Sequence, residues 1–142
     1  MIDDEWLGAL GRAVLYFSFV ETAVISMINS IVPNYMQQAL ASKNPAGGVA
    51  KDFQKYIGKL PEGDGRSELE KLAARFVTAV ERRNDLLHAM PASLGEYTHL
   101  VRLTQDRFVA WSTAALMQLA TEFENLADDL YVAHHDLLQR LK

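Results

Sequence analysis

The sequence predicts a mainly all-α protein, an antiparallel four-to-five-helix bundle with a small β-hairpin before the last helix. Apolar residues recur at steps of three and four in long segments near both ends of the chain, which is typical of amphipathic helices that pack together. Between them, a charged segment of the same periodicity ends at Pro91, and a stretch rich in β-branched and aromatic residues follows. At 142 residues, the chain is expected to form a single domain, residues 1–142.

The first helix is predicted to run from Asp3 or Asp4 to Ile31, because an acidic start suits the positive end of the helix dipole. Its apolar residues form a seam for packing against other helices, at Leu7, Leu10, Val14, Phe17, Val24, Ile28 and Ile31. Glu21 interrupts this seam, and a carboxylate buried alone would be costly. Glu21 therefore either lies at the edge of the seam and meets water, or orients a cationic group, for which Arg83 is the best candidate.

Shorter elements follow the first helix, which Pro33 and Asn34 end or kink. Further helical turns, a loop, a short helix and a second loop are predicted at residues 35–41, 44–48, 49–60 and 61–65. Neither loop has the glycine pattern of a phosphate-binding loop, so we do not expect a nucleoside triphosphate site of that type.

The next helix is predicted to begin with a capping box, in which Ser67 and Glu70 each satisfy an exposed amide of the first turn. Its apolar stripe alternates with charged residues. The helix is expected to end near His88 or Ala89, because Pro91 disfavours helical geometry in the residue before it.

A small antiparallel hairpin is predicted from residues 97–103 and 107–111, with residues 104–106 between the two strands. A lone hairpin is marginally stable, so it must pack on the helices. Ser112 or Thr113 then caps the last helix, whose apolar residues step by three and four almost to the end of the chain.

The composition restricts the classes of function. The chain has no cysteine, which excludes disulfides and thiolate metal sites and suits a reducing compartment. The net charge of -4 argues against broad binding to nucleic acid or an anionic membrane, so we expect no DNA partner, although a small basic site is compatible with it. The N-terminus is acidic, unlike a secretory signal, and the apolar run 13–32 contains Glu21 and Asn29. We therefore expect a cytoplasmic protein whose first helix is amphipathic and buried rather than membrane-spanning.

The segment Arg83–His88 carries the chemistry that points to a function. A guanidinium suits phosphate oxygens because it is planar and permanently charged, and a histidine can transfer a proton near neutral pH. On a regular helix, residues five apart point roughly 140° away from each other, so Arg83 and His88 do not share a face, whereas Asn84 and His88 do. Either the helix unwinds at its end, or two copies of the chain build one site.

The segment Arg83–His88, with the sequence RNDLLH, resembles the R-x4–6-H motif of the HEPN domain superfamily, whose first variable position is often polar, as Asn84 is. The resemblance implies a helical bundle, a homodimer, and metal-independent endoribonuclease activity on RNA in a toxin or defence protein, without a cofactor. Arg83 and His88 would be catalytic and Asn84 would support them, while Glu21 would match an acidic residue that some members carry in the first helix. A nucleotidyltransferase-type antitoxin would be the expected partner of such a toxin.

Two other functions stay open. The chain could be a non-catalytic dimerisation or partner-binding module of the same fold, with His88 a structural cation at the negative end of the helix dipole. It could also be a metal-dependent bundle enzyme that uses His88 with carboxylates. Glu124, Asp128 and His135 line one side of the last helix and could bind a metal, but no second matching cluster completes a ligand set, so we expect no metal.

Overall fold

The computed structural model describes residues 3–94, 97–103 and 108–141. Within these ranges the chain forms five helices, which are α1 (Asp4–Ile31), α2 (Tyr35–Ala41), α3 (Ala46–Ile57), α4 (Asp64–Leu87) and α5 (Thr113–Arg140). Three strands lie between α4 and α5, namely β1 (Met90–Leu94), β2 (Tyr97–Leu103) and β3 (Phe108–Trp111). The predicted fold class, a mainly all-α bundle with a small antiparallel hairpin before the last helix, is confirmed.

Helix α1 begins and ends where the sequence predicts. The side chain of Asp3 accepts a hydrogen bond from the backbone N–H of Trp6 at 2.7 Å, which caps the first turn. After Ile31 the chain turns, and Asn34 adopts the left-handed conformation with φ 67°. By length and composition, α1 is the one helix among the described residues that could cross a membrane, and 28 % of its apolar 18-residue window is buried in the bundle.

The face of α1 that meets the core matches the predicted seam only in part, since Phe17, Val24 and Ile28 are buried as predicted. Its buried residues are Trp6, Ala9, Ala13, Phe17, Val20, Val24, Met27 and Ile28. Leu7 and Val14, which belong to the predicted seam, are 50 % and 44 % exposed. The prediction followed the large apolar residues and overlooked Ala9 and Ala13, whose small side chains allow close packing against α5, the main neighbour of α1. An apolar strip of α1 is consequently left on the surface.

Helix α2 matches the predicted helical turns, and α3 begins earlier than predicted. The loop was placed at residues 44–48, but α3 begins at Ala46 directly after Pro45, so Gly47 and Gly48 are helical. Proline just before the first helical turn loses no intrahelical hydrogen bond, which is why the helix can begin there.

Helix α4 also begins earlier than its predicted capping box. It begins at Asp64 after Gly63, whose φ of 145° is accessible to glycine because it has no Cβ. The backbone N–H of Ser67 donates to the carbonyl of Gly63 at 3.0 Å, so Ser67 is already inside the helix. Glu70 forms an ion pair with Arg66 at 2.8 Å instead of closing a capping box.

The strands form one antiparallel sheet in the order β1-β2-β3. The predicted hairpin corresponds to β2 and β3, while its turn at residues 104–106 and Arg107 lie outside the described residues. Strand β1 was not predicted. It pairs with β2 in a register that sets Met90 opposite Val101. Pro91 ends the preceding helix and still fits β1, because an edge strand tolerates a residue without a backbone N–H.

The sheet is fixed to the bundle through Trp111 at the end of β3. Trp111 is 1 % exposed, and its carbonyl accepts a hydrogen bond from the indole N–H of Trp6 at 3.0 Å. The next residue, Ser112, caps α5 by accepting from the N–H of Ala115 at 3.1 Å. Since β1 follows α4 almost directly, this attachment also fixes the C-terminal end of α4, where the candidate site lies.

Candidate functional site

The C-terminal end of α4 stays regular through Leu87, and His88 is its C-cap residue. The backbone N–H of His88 donates to the carbonyl of Asn84 at 3.0 Å, as in the last turn of a helix. Arg83 and His88 thus keep the divergence of roughly 140° expected from helical geometry. Within one chain the structure does not bring these two side chains onto one face, because the helix does not unwind between them.

Arg83 is half-buried against α1. Its guanidinium carbon lies 5.0 Å from the centroid of the Phe17 ring, which is close enough for a cation–π interaction. One of its terminal nitrogens donates to the side-chain oxygen of Asn84 at 3.4 Å, so Asn84 lies beside it. The aromatic ring and the neighbouring amide therefore both constrain the position of the guanidinium.

Arg83 and Glu21 line the same small cavity, whose volume is about 90 Å³. The other lining residues come from α1, from the end of α4 and from α5, and are Ala13, Val14, Phe17, Ser18, Leu86, Leu87 and Phe123. We call this the Arg83 cavity. Glu21 is half-buried, yet in the described part of the chain no ion pair joins it to Arg83. Its predicted role of orienting Arg83 stays a prediction.

Two other arginines of α4 face α5, and each of them forms an ion pair with a carboxylate of that helix. Arg75 forms an ion pair with Asp129 at 2.7 Å, and Arg82 forms one with Glu122 at 3.4 Å. Both arginines line a groove of about 430 Å³ between α4 and α5. Among the residues that the structure describes, no carboxylate forms an ion pair with Arg83. Arg83 therefore differs from its neighbours in having an uncompensated charge.

His88 is exposed, and the sheet brings a further cation to its backbone. A terminal guanidinium nitrogen of Arg102 donates to the carbonyl of His88 at 3.4 Å. Arg102 lies on β2 and was not among the predicted site residues. No sequence pattern indicated this contact, because it depends on the β1–β2 register, in which Met90 opposite Val101 sets the next residue of β2 close to the end of α4.

Asp85, inside the motif, is buried with 8 % exposure and interacts with another group. Its neighbour Leu86 is also buried, whereas Leu87 is 52 % exposed. The motif therefore combines core residues with surface residues. The burial of Asp85 was not predicted, because a carboxylate in the sequence is normally expected at the surface.

The candidate metal residues do not assemble into a site. Glu124 and Asp128 line a groove between α1 and α5, where the neighbouring histidine is His134 rather than His135. In the described ranges, no group of three or more histidine, aspartate or glutamate side chains is placed to hold a metal ion.

Comparison with known proteins gives no match, since no protein-family model, curated protein or solved structure is significantly similar to this chain. The fold therefore defines a class only, a helical bundle in which no ion pair with another described residue compensates Arg83 near the end of α4.

Proposed function

We propose that this protein is a metal-independent endoribonuclease of the HEPN type, which acts as a homodimer with a composite site of Arg83 and His88. The observation that carries the proposal is the position of Arg83. Its guanidinium is half-buried over Phe17 at a cavity, and among the described residues no carboxylate pairs with it. A partly desolvated cation without an anion is suited to bind a phosphate oxygen, as in the backbone of RNA.

The need for two chains is supported by the geometry of α4. Arg83 lines the cavity and His88 does not, so a substrate held by one Arg83 needs a histidine from elsewhere. The rim of the same cavity is apolar, with Val14 and Leu87 44 % and 52 % exposed. A two-fold dimer through this rim would bury both side chains and bring Arg83 of one subunit towards His88 of the partner subunit.

In this site, His88 and Arg83 would together carry out the cleavage of RNA. His88 takes the proton of a ribose 2′-hydroxyl, and the 2′-oxygen attacks the adjacent phosphorus. The bond from phosphorus to the 5′-oxygen breaks, and that oxygen leaves with a proton from the second histidine of the dimer or from water. Arg83 stabilises the negative charge that develops on the phosphoryl oxygens. The products are a 2′,3′-cyclic phosphate and a 5′-hydroxyl end.

An endoribonuclease in the cytoplasm needs control, and the resemblance supports a toxin or defence role. The partner that fits is an antitoxin of nucleotidyltransferase type, which would cover or modify the site. Supporting positions in the same site are Asn84, which contacts Arg83, and Glu21, which lines its cavity.

A second candidate function is a non-catalytic dimerisation or partner-binding module of the same fold. The surface of α1 favours it, because large apolar side chains there are about half-exposed, namely Leu7, Val14, Leu15 and Phe19. In that function Arg83 and His88 would contribute to an interface and not to a reaction.

The experiment that separates these functions is RNA cleavage by the purified protein in excess chelator. The proposal predicts cleavage that yields cyclic-phosphate ends, persists in chelator and is abolished by His88→Ala. The matched control is His135→Ala, which removes an exposed histidine of α5 and should leave cleavage unchanged. An intact dimer without cleavage of any RNA would favour the binding module, and activity that requires added metal would contradict both functions.

A further inference from the structure

A second concave site lies between α1 and α5, in a groove of about 560 Å³. We call it the α1–α5 groove. Its lining combines aromatic rings with acidic groups and a histidine, and the side chains that carry this chemistry are Tyr16, Phe19, Glu124, Asp128, Tyr131 and His134. No residue lines both this groove and the Arg83 cavity. The site is therefore independent of the proposed ribonuclease site.

The groove follows α1 over several helical turns, and two carboxylates of α5 line its other side. Its lining residues on α1 extend from Tyr16 to Ser26, a distance of about 15 Å along a helix axis. Glu124 and Asp128 are four residues apart on α5, so they project from the same side with Cβ atoms about 6 Å apart. Two negative charges thus lie along the α5 side of the groove, at a spacing close to that between the amino groups of a short alkyl diamine.

Most of the remaining lining is aromatic or aliphatic, although Thr22, Ser26 and His134 also line the groove. Tyr16 and Phe19 form a ring pair with centroids 6.1 Å apart, and Tyr131 is 76 % exposed beside them. Ala23 of α1 and Ala127 of α5 also line the groove. Methylene groups can pack against such a surface, while aromatic faces attract cations.

Arg12 shows how this groove holds a cation. Its guanidinium carbon lies 5.6 Å from the centroid of the Tyr16 ring, and a terminal nitrogen lies 3.8 Å from a carboxylate oxygen of Glu124. The ion pair is long, and both side chains are substantially exposed, at 60 % and 41 %. A ligand cation can therefore replace Arg12 at Glu124 at little cost.

Asp128 has no such internal cation, because no ion pair of Asp128 occurs within the described ranges. Other carboxylates of α5 differ from it, since Glu122 and Asp129 are paired with Arg82 and Arg75 on the other side of the helix. Within the described ranges, the acidic wall of the α1–α5 groove thus combines Asp128, which forms no ion pair, with Glu124, whose ion pair with Arg12 is long and exposed.

The geometry points to a binding site for an aliphatic diamine or polyamine in the α1–α5 groove, with ammonium groups at Glu124 and Asp128 and methylene groups on Tyr16, Phe19 and Tyr131. The spacing of the carboxylates selects a ligand with at least two amino groups. The aromatic lining selects an alkyl chain over a hydrated metal cation, which would gain nothing from apolar surface.

His134 at the end of the groove does not oppose such a ligand. Its Nε2 lies 2.7 Å from the hydroxyl oxygen of Ser30, and burial lowers the pKa of His134 below its ordinary value. The ring is therefore neutral at neutral pH, and the charge of the groove is set by its carboxylates and Arg12.

Calorimetric titration of the full chain with spermidine at low ionic strength tests the proposal. Asp128→Asn and Glu124→Gln should each weaken binding by about tenfold, because each removes one close charge pair. The matched controls Asp129→Asn and Glu122→Gln change the net charge equally but lie on the α4–α5 side, and they should change the affinity less than about twofold. Equal losses in all four variants, or no binding to the wild-type chain, would overturn the proposal.

Two further comparisons probe the mode of binding. Arg12→Ala frees Glu124 and should tighten spermidine binding about threefold, whereas the charge-matched Arg75→Ala should not. Putrescine should bind more tightly than butylamine, which has the same four-carbon chain and one amino group fewer. Butylamine and putrescine binding with equal affinity would overturn the assignment of both carboxylates. Cleavage assays of Asp128→Asn keep this test separate from the ribonuclease proposal, since the variant leaves the Arg83 cavity intact.

Discussion

Adjacent arginines of α4 lie in contrasting surroundings. Arg82 faces α5, where it forms an ion pair with Glu122 at 3.4 Å and lies 5.5 Å from the Trp111 ring centroid. Arg83 faces α1, where it lies over Phe17 and shares a cavity with Glu21 without an ion pair among the described residues. Both side chains are cationic, half-buried and close to aromatic rings. The two arginines thus differ in the carboxylate that pairs with Arg82 and not in residue type or burial, and the proposed role of Arg83 rests on this difference.

The largest effect in this comparison is expected from removing the ring under Arg83. Phe17 is 4 % exposed and contacts Phe76 and Phe123 as well. Phe17→Ala should lower the free energy of unfolding by about 3–5 kcal/mol, since it leaves a cavity in the core. Urea denaturation followed by circular dichroism measures it.

The control for Phe17→Ala is Phe19→Ala, which removes a ring of the same helix that is 51 % exposed. Its expected loss is within about 0.5 kcal/mol. Similar losses in both variants would contradict the packing of α1 described above.

The contrast between Arg82 and Arg83 should appear directly in RNA cleavage. In the proposed ribonuclease, Arg83→Ala should reduce kcat by about 10²–10³-fold, since it removes the charge proposed to stabilise the phosphoryl oxygens in the transition state. Arg82→Ala should leave kcat within about threefold of the wild-type value, because Arg82 forms a partly exposed ion pair with Glu122. Equal losses from both variants would show that cleavage depends on the total positive charge of α4 and not on the position of Arg83.

The sequence predicts the helix that carries Arg82 and Arg83, but it does not predict which of the two arginines forms an ion pair. The acidic start at Asp3 or Asp4, the cap at Ser112 or Thr113 and the helix stop at Pro91 are local signals, and they predicted the starts of α1 and α5 and the end of α4 correctly. The start of α4 was missed because Ser67 and Glu70 form a convincing capping pattern inside a helix that begins earlier.

Contacts between distant segments were beyond the reach of sequence patterns. The burial of Ala13 in place of Val14 depends on how closely α5 approaches, and strand β1 exists because β2 offers it a pairing edge. The motif Arg83–His88 was found from sequence, but nothing in the sequence indicated that Glu122 would pair with Arg82 while Arg83 remained uncompensated. Charge compensation is a tertiary property.

The apolar rim of the Arg83 cavity provides a smaller expected effect. Leu87→Glu should weaken the proposed homodimer by about tenfold, because it would set like charges against each other across the two-fold axis. Analytical ultracentrifugation measures the dissociation constant. Leu40→Glu is the control, since Leu40 is 68 % exposed on α2. A dimer weakened by Leu40→Glu and unaffected by Leu87→Glu would move the interface away from the cavity.

The smallest effect is expected from removing an ion pair between α4 and α5. Arg75 and Asp129 form a short ion pair, but their side chains are 45 % and 56 % exposed. Asp129→Asn should therefore lower the free energy of unfolding by about 0.2–1 kcal/mol, measured by urea denaturation at low salt and reduced further at high salt. A loss of several kcal/mol would indicate that this ion pair is part of the structural core.

The composite site is tested most directly by mixing subunits. Arg83→Ala and His88→Ala variants should each be inactive alone, and a mixture equilibrated through monomers should regain up to about one quarter of the wild-type cleavage rate. This value follows because half of the dimers are mixed and each mixed dimer holds one intact pair. If both variants are inactive and dimeric but their mixture stays inactive, Arg83 and His88 do not act across two chains, and the account of a shared site is wrong.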